Sequence, residues 1–235
     1  MTRVLEYAYQ GATRLLPPAI AARLDLLRPS YRSSWGGPLN GQEQRQTLVR
    51  ELARDIAVDV VFETGTYRGT TTEFLSHVFG VHVETVEGSR RFYTYSRLRL
   101  APYPGVNVTF GDSREFLRQV LERYKERTSF IYLDAHWEDD LPLREELCTI
   151  RDRATASVVM VDDFAVPCDP GYCYDDYGLG KALVGDYLPA MPGWGLYYPS
   201  APSSEETGKK RGCCVLLSPS LAGRSVRGLR LERVF

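Results

Sequence analysis

The chain predicts an α/β fold. It is a doubly wound, mostly parallel seven-stranded sheet that ends in an antiparallel hairpin, preceded by an N-terminal helical extension. Three observations predict it. Short apolar runs alternate with helix-length segments from residue 57 to residue 163, the pattern of parallel strands joined by crossover helices. The first run, Val60-Val61-Phe62-Glu63, breaks into a turn of small residues with two glycines, Thr64-Gly65-Thr66-Tyr67-Arg68-Gly69. The last two strand-like runs, 194–198 and 213–217, have no helical pattern between them. The polar stretch 199–212 that joins them reads as a long hairpin loop.

In chain order, residues 1–44 form the extension and 45–235 the ligand-binding domain. The extension carries helical pieces broken by Pro17-Pro18 and by Trp35-Gly36-Gly37-Pro38, because proline and glycine end helices. It is a candidate cap over a ligand site, or a homodimer contact. Residues 42–56 read as an amphipathic helix with Leu48, Leu52 and Ile56 on one stripe. Strands follow at 57–63, 81–87, 106–110, 130–134 and 157–163. Helices fill 70–79, 89–101, 113–127 and the region around 141–150.

The bulk numbers narrow the function. With 235 residues, 43% apolar and 25% charged, the composition is that of an ordinary globular protein. A formal charge of −1 gives no global electrostatic case for nucleic acid. Arg224, Arg227, Arg230 and Arg233 read as a solvated face. No apolar run is long enough to span a bilayer, and the start has no signal-peptide core. Five cysteines, an odd number without paired metal-ligand spacing, read as reduced thiols. A cytoplasmic location is expected, with a small-molecule substrate and no nucleic acid or membrane partner.

A parallel strand that stops at a glycine turn offers backbone N–H groups and a helix N-terminus at the sheet edge, where open α/β sheets bind ligands. A dinucleotide site wants G-x-G-x-x-G. Here the spacing is Gly65-x-x-x-Gly69, led by Glu63, and a carboxylate there repels phosphate but suits a cation. Glu87 closes the second strand, where an acid accepts from ribose hydroxyls. Gly111-Asp112-Ser113 follows the third strand. Asp112 with Ser113 also makes a good helix N-cap pair.

The ordered set Glu63-x-Gly65-x-x-x-Gly69, Glu87 and Gly111-Asp112 resembles class I S-adenosylmethionine-dependent methyltransferases over roughly residues 45–218. The resemblance implies S-adenosylmethionine as cofactor. Its amino-acid end would be held by Glu63, Thr64, Gly65, Thr66, Gly69, Thr70 and Thr71, and its ribose by Glu87. Gly111, Asp112 and Ser113 would meet the adenine, with Asp134 also at the cofactor.

Strand four ends in Tyr132-Leu133-Asp134-Ala135-His136-Trp137 and strand five in Val161-Asp162-Asp163-Phe164. Both ends emerge at the edge that carries the glycine turn. Crowded carboxylates repel, and a hard divalent cation such as Mg²⁺ relieves them. The pattern resembles metal-dependent O-methyltransferases of the catechol and macrocin (macrolide-sugar) types. That resemblance implies Asp134, Asp162 and Asp163 as Mg²⁺ ligands. His136 is the expected base, since its unperturbed pKa is near neutral, with Glu138 and Asp139 as alternatives. The sugar-modifying group has Gly-Asp where this chain has Ala135-His136.

The segment 167–180 is rich in Tyr, Gly and Asp, and a loop this long beside an active edge usually carries function. Tyr172, Tyr174 and Tyr177, with Trp137, are candidate walls for a sugar or aromatic ring. Asp175 and Asp176 are candidate hydroxyl binders. The expected activity is Mg²⁺-assisted O-methylation of a sugar, glycosylated or phenolic small molecule. The alternatives are a metal-free or N-methyltransferase on the same fold, or a non-catalytic nucleoside-binding module.

Overall fold

The computed structural model describes Tyr9, Thr13 and residues 15–136, 140–222 and 229–233. Helix α1 (Pro18–Leu26) and two short 3-10 segments (Pro29–Gly36, Pro38–Gly41) lead into helix α2 (Glu43–Asp55). The alternating core follows. It runs β1 (Val60–Thr64), α3 (Thr70–Phe79), β2 (His82–Glu87), α4 (Arg90–Arg99), β3 (Val106–Phe110), α5 (Ser113–Arg123), β4 (Thr128–Leu133), α6 (Leu143–Arg153) and β5 (Ala156–Asp162). Strands β6 (Gly195–Pro199) and β7 (Cys213–Leu217), the short helix α7 (Pro219–Ala222) and strand β8 (Leu231–Arg233) finish it.

One sheet holds all these strands in the order β3-β2-β1-β4-β5-β7-β6-β8. The first five are parallel, β7 is antiparallel to β5 and β6, and β8 is antiparallel to β6. Strands β1, β4 and β5 are buried along nearly their whole length, as expected for parallel strands covered on both faces. Phe116, Leu117 and Val120 of α5 pack with Leu143, Leu147 and Ile150 of α6 on one face. Leu48, Val49 and Leu52 of α2 pack with Phe74 and Leu75 of α3 on the other. The winding therefore reverses between β1 and β4, and their ends stand level, with Thr64 opposite Leu133.

Among the described residues the sheet has eight strands, one more than the expected seven. Leu231–Arg233 pairs its backbone with β6, and three residues are too short a run to show an apolar pattern. Arg230, read as part of a solvated face, donates to the Glu51 carboxylate of α2 at 3.3 Å.

The extension is tied to the sheet's carboxyl edge. Buried Asp25 of α1 receives both Nε and Nη2 of Arg91 on α4, each at 2.7 Å. The 3-10 segments cross the start of α3, where Leu39 N–H donates to Thr71 Oγ1 (3.2 Å) and Arg68 Nη1 to Ser34 Oγ (2.9 Å). Helix α2 has no side-chain cap of its own. Glu206, in the β6–β7 connection, accepts the Gln44 and Arg45 N–H groups at 3.0 and 3.1 Å, satisfying orphan donors of that helix start. No described helix is long and apolar enough to cross a membrane.

Candidate active site

The glycine turn is shaped by close approach. Gly65 has φ +85°, and a β-carbon there would lie 2.1 Å from the Asp134 carbonyl oxygen. Only glycine lets β1 turn this close to the end of β4. The Gly65 and Thr66 N–H groups both donate to the Val86 carbonyl, at 3.0 and 3.1 Å. These two amides are thus spent inside the fold. Glu63 is buried, accepting from Thr72 Oγ1 (2.5 Å) and Thr85 Oγ1 (2.7 Å). Burial pushes its carboxyl up to about 7 despite those hydroxyls. Thr66 shares a hydrogen bond with Thr85 (2.6 Å), and Thr70 Oγ1 receives Arg99 Nη1 (2.9 Å). The side chains of Thr66, Thr70 and Thr71 therefore brace the turn. Gly69 starts α3 at φ +71°.

Glu87 stands next to the turn. Its Oε2 accepts the Tyr67 N–H and its Oε1 the Ser89 N–H, each at 2.7 Å. Burial raises its pKa against these backbone donors. Each oxygen keeps a second lone pair. Asp112 caps α5, accepting the Arg114 and Glu115 N–H groups at 2.9 and 3.3 Å, and its carboxylate is half exposed beside the sheet edge. Gly111 N–H donates to the Glu87 carbonyl (3.1 Å), which draws the two loops together. Ser113 is buried at the start of α5.

Across the switch point lies a cluster of acids around one imidazole. His136 Nε2 is buried and has no hydrogen-bond partner among the described residues. Around it stand Asp163 Oδ2 at 3.7 Å, Asp175 Oδ2 at 3.8 Å and Asp134 Oδ1 at 3.9 Å. Burial opposes protonation of His136, but Asp163 foremost, then Asp162 and Asp175, raise its pKa. Burial likewise opposes ionisation of Asp163, yet His136 and Arg211 beside it hold its carboxyl down at about 2. Asp134 goes the other way: burial, then the charges of Asp162, Asp163 and Glu63, push it well above the usual range. Asp134, His136 and Asp163 form a group able to hold a metal ion. The unpartnered Nε2 and its ring of carboxylates fit a divalent cation by donor chemistry.

The Asp162 carboxylate, expected as a metal ligand, lies outside the group able to hold an ion, which contains His136 instead. Successive strand residues point to opposite faces, so the Asp162 carboxylate turns toward α2. There it receives Arg45 Nη1, the Tyr132 hydroxyl, Asn40 Nδ2 (3.1 Å) and the Asp163 N–H (2.8 Å). Asp163 reaches the cluster because its own backbone turns over, at φ +53°.

The expected substrate walls divide. Tyr172 is buried in the core, with its hydroxyl on the Ala201 carbonyl (2.9 Å). Tyr177 donates to Asp175 Oδ2 (2.5 Å), and Tyr174 is exposed. Trp137, with the alternative bases Glu138 and Asp139, lies outside the described residues.

No protein-family model and no curated protein matches this chain. Solved structures do. Cofactor-bound Rv0187 from MTB is similar at TM-score 0.57 and 19% identity, over 87% of this chain and 92% of that one. TomG from Streptomyces achromogenes is an O-methyltransferase of tomaymycin synthesis solved with SAM. It matches at 0.55 and 19%, over 74% and 79%. An O-methyltransferase from Bacillus cereus solved with SAH matches at 0.53 and 18%, over 74% and 80%.

The chain has a class I methyltransferase fold. In this methyltransferase fold the glycine turn and the acid cluster occupy neighbouring strand ends at the switch point, where open α/β sheets bind their ligands.

Sequence reasoning missed two buried charges and one partly buried one here. Arg45 and Glu146 each sit on the apolar stripe of a helix, Arg45 with Leu48 and Leu52, Glu146 with Leu143, Leu147 and Ile150. A charge on a buried stripe was the available signal. Arg211 bridges Asp163 Oδ1 (2.7 Å) and Asp175 Oδ1. It precedes β7 in a polar loop and gives no such signal.

Proposed function

We propose that the protein is an S-adenosylmethionine-dependent methyltransferase that methylates a hydroxyl of a small molecule with the help of a divalent cation. The observation that carries this reading is the packing of Gly65 on the Asp134 backbone. It sets a sulfonium-suited glycine turn beside a cluster that can activate an oxygen nucleophile. The SAM and SAH bound in fold relatives support the choice of cofactor.

In this reading Glu87 receives the ribose hydroxyls on its free lone pairs, and Asp112 faces the adenine amine. The Gly65–Gly69 turn, with Glu63 behind it, borders the amino-acid end. The substrate oxygen attacks the sulfonium methyl in line; the new O–C bond forms as the S–C bond breaks, and the S–C electron pair stays on sulfur. A divalent cation held by Asp134, His136 and Asp163 would lower the hydroxyl pKa and fix its direction. The proton goes to a carboxylate oxygen of Asp134, whose side chain is 34% exposed against 3% for His136. His136, expected as the base, is enclosed behind it and serves the cluster as a nitrogen donor. The strap Pro29–Gly41 and the loop 165–183 border the edge as walls against water.

The test is methyl transfer from labelled S-adenosylmethionine to a panel of catechols and polyols, with Asp134→Asn beside wild type. Loss of a proton acceptor lowers kcat by about 10²–10⁴. Cofactor affinity is expected to stay within a few-fold. Absence of cofactor binding by wild type would refute the reading.

A further inference from the structure

We propose that the outer face of α1, with the arginines around it, docks the protein on an anionic lipid surface. The proposal goes beyond methyl transfer and does not rest on it.

Helix α1 is apolar on both sides. Its inner side buries Ala21 and Ala22, and Ala22 packs with Tyr31 and with Tyr95 of α4. Its outer side carries Ile20, Leu24 and, at the C-cap, Leu27, spaced i, i+4 and i+7 on one stripe. These three are 46%, 38% and 77% exposed, and Leu15, just before the helix, is 89% exposed. A helix that is apolar all round is ordinarily covered, and an exposed apolar stripe of this kind marks a contact surface.

The charge around the stripe has one sign. Residues 15–35 and 88–105, which hold α1, the start of the strap and α4, contain seven arginines and a single acid, Asp25. That acid is buried and bound to Arg91, and Arg99 pairs with Glu73 of α3. Arg23, Arg32, Arg90 and Arg97 are exposed. The formal charge of −1 hides this local excess. Composition therefore points away from a membrane partner, and the folded surface points toward one.

That charge decides the occupant. On an anionic bilayer the guanidinium groups meet lipid phosphates while the leucines enter the acyl boundary. The nine residues of α1 lie along such a surface and do not span it. A second copy docked about a twofold axis would set Arg23 and its neighbours against the same arginines, and like charges repel. A nucleic acid would meet the arginines but leave the leucines in water.

The test is flotation of the full chain with vesicles of phosphatidylcholine, alone or in a two-to-one mixture with phosphatidylglycerol. Wild type is expected to bind the mixed vesicles at least tenfold more tightly, and to lose that advantage at high salt. Ile20→Ser with Leu24→Ser and Leu27→Ser should weaken binding at least tenfold, and so should Arg23→Glu. Arg127→Glu makes the same charge change at an exposed site just before β4 and should stay within twofold. All the substituted side chains are exposed, and urea midpoints equal to wild type show that the variants fold. No preference for the anionic vesicles, or equal losses from Arg23→Glu and Arg127→Glu, overturns the proposal. A dimer by sedimentation velocity that the serine variant dissociates, in a chain that leaves vesicles unbound, overturns it in favour of self-association. Duplex DNA bound by a chain that ignores vesicles overturns it as well.

Discussion

Gly65 lies against the backbone of Asp134 so closely that a β-carbon on Gly65 would stand 2.6 Å from the Asp134 carbonyl carbon and 2.1 Å from its oxygen. One glycine therefore sets the separation between the turn that would meet a cofactor and the cluster that would meet a substrate.

Gly65→Ala must push the end of β4 away as well as strain a left-handed backbone. The expected cost is about 3 kcal/mol or more, with loss of cofactor binding. Gly80→Ala is the control. It too is left-handed, at φ +64°, but has nothing within 4 Å of the new carbon, so about 1–2 kcal/mol is expected. Urea denaturation of the two variants compares them. Equal costs would mean that the close approach is unimportant.

Glu87 accepts two backbone N–H groups and faces the turn. Glu87→Gln replaces one acceptor oxygen by a donor, so one backbone N–H loses its partner and the ribose loses the charge. Affinity for S-adenosylhomocysteine should fall at least tenfold by calorimetry, about 1.4 kcal/mol. An unchanged affinity would remove Glu87 from the cofactor site.

Asp162 and Asp163 are neighbours with different work. Asp162 pairs with fully buried Arg45, and Asp163 faces His136. Arg45→Ala leaves a buried carboxylate without its cation and should cost about 3–5 kcal/mol. Arg45→Met with Asp162→Asn removes both charges and should recover much of that. Asp163→Asn should weaken Mn²⁺ binding strongly, and Asp162→Asn little. Equal losses of Mn²⁺ affinity would return Asp162 to the ligand set.

The fold was legible because its signals are local. Strand runs, the glycine turn and the hairpin loop each occupy a few adjacent residues, and their observed bounds differ from the expected ones by a few positions. The exception is β8, held by backbone pairing that a three-residue run does not advertise. The site was legible as far as the strand ends. Asp134, His136 and Asp163 are where the sheet edge puts them. That Asp162 turns away to Arg45 depends on a partner 117 residues distant. That Asp175 comes within 3.8 Å of His136 depends on a loop folding back. Neither contact leaves a trace in spacing.

Glu63 and Glu146 carry a pH dependence with a definite sign. Burial pushes both carboxyls up to about 7 from 4.5. The native chain then holds protons that the unfolded chain has released. The stability these groups contribute is fully present below about pH 4.5 and is lost as pH rises to about 7, at up to about 1.4 kcal/mol per pH unit for each. Glu146→Gln should flatten that slope and stabilise the protein at pH 8 by on the order of 2 kcal/mol. Urea midpoints at pH 5 and pH 8 check it; parallel profiles for variant and wild type would contradict it.

The most direct measurement is calorimetric titration of the wild-type chain with S-adenosylmethionine and, in parallel, with NAD. One S-adenosylmethionine bound per chain, with no heat from NAD, is the expected result. NAD binding, or no binding of S-adenosylmethionine, would contradict the reading of the Glu63–Gly69 turn and the methyl-transfer chemistry built on it.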